Sequence, residues 1–92
     1  MIETRPWDSA NYLKTKEDIA HYLDAVLEDG DPELLKDALG AVARSQGMTE
    51  IAREAGLSRS SLYKALSPAG NPEFATVASV LKALGLRLSV AA

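Results

Sequence analysis

Arg59, Ser60, Tyr63 and Lys64 are spaced so that they share one face of a helix, because positions three and four apart lie together on a helical surface. An arginine guanidinium can bond a guanine edge in two places, and a serine hydroxyl both gives and accepts hydrogen bonds. Tyrosine and lysine extend that reach to base edges or phosphate oxygens. Ser58, just before these residues, is of the type that caps a helix start, and Thr49 stands at the head of the preceding short helix. The free N–H groups at the starts of two such helices suit backbone phosphates. The chemistry on offer is therefore nucleic-acid recognition. Catalysis finds no support: His21 is the single histidine and no nucleophile setting accompanies it. With no cysteine there is no thiolate metal site, and no glycine-rich phosphate loop follows a strand. No catalytic residue, metal or cofactor is expected.

The elements that must position those residues span 48–66 and read as a helix-turn-helix. Ala52 is small where the two helices approach closely, and Gly56, four residues on, gives the turn its backbone freedom. Ile51, Ala55, Leu57, Leu62 and Leu66 face inward and fix the crossing. In such motifs the second helix enters the major groove and its N-terminal residues meet base edges.

Around this motif the chain reads as one helical domain over residues 1–92. Residues 1–14 are irregular, with Pro6 blocking a helix. Thr15-Lys16-Glu17-Asp18 fits a capping box, and Ile19, Tyr22, Leu23, Val26 and Leu27 follow at helical spacing up to Gly30. Asp31-Pro32 caps and starts a second helix that Gly47 closes. Asn71-Pro72 repeats that start for a fifth helix carrying Phe74, Val77, Val80, Leu81 and Leu84. Residues 86–90 then alternate apolar and polar, which reads as a short strand. Leu86, Leu88 and Val90 would face one way. A strand needs a mate for its backbone, and no other segment offers a good one, so pairing with a second copy across a two-fold axis is expected; a tail folded back on its own core, or paired with the toxin, is the alternative. Such a homodimer would set two recognition helices about 34 Å apart and read a palindrome.

Fifteen alanines and few aromatics favour closely packed helices over a β-sandwich. No apolar run reaches membrane-spanning length and no secretory signal opens the chain, so a cytoplasmic protein without a membrane partner is expected. The net charge of −3 hides an asymmetry. Residues 1–37 hold ten acids and four bases; residues 38–92 hold three acids and six bases. The basic half suits phosphates and the acidic half a basic protein. In the acidic half Trp7 and Tyr12 are aromatic anchor candidates, and Asp24 and Glu28 are candidate charge contacts. For Trp7 and Tyr12 a core-covering role competes with that reading, and for the acids a solvated helix face does.

Residues 51–59, Ile-Ala-Arg-Glu-Ala-Gly-Leu-Ser-Arg, followed by Ser61-Leu62-Tyr63-Lys64-Ala65-Leu66, resemble the helix-turn-helix addiction-module antidote proteins, small bacterial antitoxins related to HigA and Xre-type regulators. Gly70-Asn71-Pro72, the closing Ala83-Leu84-Gly85-Leu86, and Trp7-Asp8, Tyr12-Leu13 and Gly30-Asp31-Pro32-Glu33 upstream extend the likeness over residues 6–88. The resemblance implies an all-α, five-helix, Xre/lambda-repressor-like domain. It also implies a function: binding and neutralising a small RelE/ParE-like toxin encoded alongside, and repressing the shared operon by binding operator DNA. A free-standing repressor of prophage type, or a protein-interaction module whose helix-turn-helix no longer binds DNA, are the alternatives.

Overall fold

The structure is a computed structural model and describes residues 14–92; Trp7 and Tyr12, proposed above as anchors, lie outside the described residues, as does most of the segment expected to be irregular. Five helices follow in order: α1 (Lys16–Asp29), α2 (Pro32–Gln46), α3 (Met48–Ala55), α4 (Arg59–Ala65) and α5 (Phe74–Ala83). The domain is all-α, as composition and periodicity predict.

Local chemistry sets the helix ends. Thr15 caps α1 by accepting from the Asp18 N–H at 3.0 Å, and the Asp18 carboxylate accepts in return from the Lys14 and Thr15 N–H groups at 3.0 and 3.1 Å. Those two backbone bonds hold the Asp18 carboxyl below its ordinary value, because they favour the charged form. Asp31 caps α2 by accepting from the Glu33 N–H, with Pro32 at the first helical position. Gly56 ends α3 in the left-handed region at φ +78°, where a side chain would be strained. α4 then starts on Ser58, whose hydroxyl oxygen accepts from the Ser61 N–H at 3.0 Å.

Packing runs outward from α3, which lies against α2, α4 and α5, while α1 covers α2. The core joins Ile19 and Leu23 of α1, Leu39 and Val42 of α2, Ile51 and Ala52 of α3, Leu62 of α4 and Val80 and Leu81 of α5. Burial of Tyr22 between them, with Asp37 nearby, pushes its phenol above the usual range.

Three expectations need correction. The fifth helix starts at Phe74 with Glu73 at its N-cap and no side-chain cap, so Asn71-Pro72 does not open it. The preceding chain is committed elsewhere. Residues 67–70 form a turn closed by the Gly70 N–H on the Ser67 carbonyl at 2.8 Å, and the Pro68 and Gly70 carbonyls both bind Lys36. Phe74 does not join the buried stripe of α5; it is 73% exposed. Residues 86–90 are not a strand. The Leu86 N–H closes the end of α5 on the Leu81 carbonyl at 2.9 Å, Leu86 rests half-buried on the core, and Leu88 and Val90 are exposed. A lone extended segment cannot form a ladder, and the described residues offer it no mate.

Candidate functional site

The exposed face of α4 follows from how the helix is packed. Leu62 is fully buried and Leu66, just past the helix, nearly so; they anchor one side of α4 against α3 and the end of α2. Helical geometry then turns Arg59, Ser60, Tyr63 and Lys64 to the other side, and all four are exposed. Tyr63 keeps 57% of its surface in solvent, an unusual setting for a large aromatic ring in so small a domain. Among the described residues neither Arg59 nor Lys64 makes an ion pair, so both cations are free to meet an anion. Arg53 of α3 is different: it is paired with Glu50 one turn earlier.

Thr49 is exposed at the start of α3. Ser58 is exposed too, but its side chain is occupied by the helix start, accepting from the Ser61 N–H and donating to Ser61 Oγ at 2.9 Å. Its part is to orient α4 rather than to reach outward.

Two further residues belong to this face and were not singled out from sequence. Arg44, at the C-terminal end of α2, lines one recess with Asp37, Tyr63, Leu66 and Ser67, so a third cation that makes no ion pair among the described residues stands beside the tyrosine. The sequence signal was only its place in the basic half. Lys36 is the other, and it is 5% exposed. Its ammonium donates to the Pro68 and Gly70 carbonyls, both at 2.8 Å, and lies 3.0 Å from Glu33 Oε1. Three donors meet three acceptors, which is how a lysine tolerates burial. This clamp ties the turn after α4 to α2. Gly70 completes it, since a Cβ there would overlap the carbonyl oxygens of Lys64 and Ala65.

Asp24 and Glu28 are exposed on α1, and α1 packs on α2. The structure thus separates the acidic candidates from the basic face on α4. Among the described residues no group of histidine and carboxylate side chains is placed to hold a metal ion, and no helix is long and apolar enough to cross a membrane.

Comparison with known proteins agrees with the likeness carried by the motif residues. The chain is 48% identical over 88 residues to an uncharacterized protein of Haemophilus influenzae, an alignment that covers 96% of this chain and 91% of the relative. No solved structure matches it at a significant level. A family model described as a probable addiction module antidote protein matches residues 3–92, which is nearly the full chain, α3, α4 and both charged halves included. The chain belongs to the family of probable addiction module antidote proteins.

Proposed function

We propose that this antidote acts in two ways: it binds and neutralises a small basic toxin of RelE/ParE-like type, and it represses its own operon by reading operator DNA with α4. The observation that carries the DNA half is the division of α4 into a buried side, Leu62, and an exposed side of Arg59, Ser60, Tyr63 and Lys64 whose cations make no ion pair among the described residues. Arg59 supplies a two-pronged contact to a guanine, Ser60 an adaptable one, and Lys64 and Arg44 neutralise phosphates, Arg44 from the recess it shares with Tyr63. An antidote implies a toxin as its partner, and the acidic α1 supports a basic one.

The test is binding to the DNA upstream of the operon across a salt series. Arg59→Ala should weaken binding by about 1–3 kcal/mol and relax sequence preference at one base pair. Lys64→Ala should weaken all sequences alike and reduce the slope of log affinity against log salt by about one. Wild-type affinity in both variants would remove α4 from any DNA interface and leave a protein-interaction module.

A further inference from the structure

Tyr63 is the one aromatic ring on the exposed face of α4, and its side chain has no hydrogen-bond partner among the described residues. It follows Arg59 by four residues and Ser60 by three, one turn along the same face. Its ring borders a recess with an apolar wall, made by Tyr63 with Leu66 and Pro68, and a polar wall of Asp37, Arg44 and Ser67. Leu66 is anchored in the core, and Pro68 is held by the bond from Lys36 to its carbonyl at 2.8 Å, so the apolar wall is firm. Seven residues at about 1.5 Å each make α4 about 10 Å long, shorter than the roughly 12 Å width of a DNA major groove. A helix that enters the groove at Arg59 therefore keeps Tyr63 inside it as well.

We infer that Tyr63 is a specificity-determining residue that reads the C5 methyl group of a thymine in the operator; the inference rests on the DNA-reading role proposed for α4 and names a base that role leaves unassigned. The chemistry of the groove selects this contact. Base pairs present hydrogen-bond donors and acceptors there, and the one apolar group among them is the thymine methyl. Stacking is closed to the ring, because the bases of a duplex show the groove only their edges. Phosphates are better served by the full charges of Lys64 and Arg44 than by a neutral phenol. What Tyr63 adds to the face is ring carbon, more than half of it in solvent, and only a methyl group gives that surface a partner. The spacing also fixes where the thymine lies. From Arg59 to Tyr63 the helix advances about 6 Å, and base pairs stack about 3.4 Å apart, so the thymine falls within about two base pairs of the guanine that Arg59 contacts.

The experiment uses the full chain and, as probe, the duplex upstream of the operon with each thymine replaced in turn by deoxyuridine, which removes only the C5 methyl. Affinity is measured for wild type, Tyr63→Phe and Tyr63→Ala, with thermal unfolding of each as a control. Wild type should lose about four-fold at a particular thymine, the worth of burying one methyl-sized group. Tyr63→Phe keeps the ring and should show the same loss at the same thymine. Tyr63→Ala should bind the natural duplex about four-fold more weakly, at an unchanged unfolding midpoint, and should no longer respond to deoxyuridine there. Replacing guanines by 7-deazaguanine, which lacks the N7 acceptor, locates the guanine to which Arg59→Ala has become insensitive, and it should stand within about two base pairs of that thymine. Equal deoxyuridine sensitivity in wild type and Tyr63→Ala, or none in either, would overturn the thymine assignment while leaving the DNA reading intact. A loss in Tyr63→Phe that is the same for every duplex would give the phenol to a phosphate and overturn it too. Failure of the wild type to bind the upstream duplex at all would remove the DNA reading, and this inference with it.

Discussion

At the residue scale, Lys36 separates a lysine that holds structure from those that meet a partner. Its ammonium is buried and satisfies two backbone carbonyls of the turn after α4, while its carboxylate neighbour Glu33 is 72% exposed. The two halves of that arrangement should differ in weight. Lys36→Met keeps the stem but leaves the Pro68 and Gly70 carbonyls without their donor, at a cost of about 1–3 kcal/mol. Glu33→Gln removes only a solvent-screened charge, worth about 0–1 kcal/mol. Thermal unfolding should therefore show a midpoint lowered by about 4–8 °C per kcal/mol for Lys36→Met and little change for Glu33→Gln. On the proposed DNA-reading role of α4, operator affinity should fall with Lys36→Met as well, because the turn it clamps follows directly on that helix. Equal midpoints for the two variants would show that the carbonyls find water or another donor at no cost.

At the element scale, α4 is only seven residues long and cannot hold its own shape, since short helices are marginal without tertiary support. It borrows that support at both ends, from the Ser58 cap and from the packed turn at residues 67–70. Two glycines test how tight the second support is. At Gly40 in α2 an added Cβ would lie 3.2 Å from Arg44 Nη1 and 3.3 Å from the Leu66 carbonyl oxygen, and the arginine can swing aside. Alanine gains up to about 1 kcal/mol in a helix interior, so Gly40→Ala should be close to neutral. At Gly70 the added carbon would overlap the backbone oxygens of Lys64 and Ala65, which cannot move without disturbing α4. Gly70→Ala should therefore destabilise by about 1–3 kcal/mol and weaken operator binding, both read against Gly40→Ala in denaturant melts and DNA titrations.

At the scale of the whole molecule, the two proposed activities lie on different elements. The acidic side chains proposed to meet a toxin, Asp24 and Glu28, stand on α1; the face proposed to read DNA belongs to α4, with Arg44 of α2 beside it. No residue serves both. A chain loaded with toxin should therefore still bind operator DNA, and a gel shift should show a slower, toxin-containing band rather than release of free DNA. Displacement of the DNA by toxin would mean that the two surfaces overlap in the complex. The proposed division of labour accounts for the charge asymmetry: an acidic α1 near the operator backbone would repel it, and a basic α4 facing a basic toxin would do the same.

The sequence by itself determined the presence of five helices, the caps that start α1, α2 and α4, and the polarity of α4. Those features are written in neighbouring residues: Thr15 with Asp18, Asp31 with Pro32, Gly56, and Ser58 with Ser61 act within a few positions of each other. The exposed Arg59, Ser60, Tyr63 and Lys64 follow from the same local period that buries Leu62. Only the tertiary structure decided where α5 begins, because the chain before it is held by Lys36, more than thirty residues away. Only the tertiary structure brought Arg44 beside Tyr63, left Phe74 in solvent and set Leu27 against Leu88. The tail shows the limit most plainly. Alternation marks which residues suit a strand, but a strand exists only when another backbone supplies the missing bonds, and the described residues do not supply them.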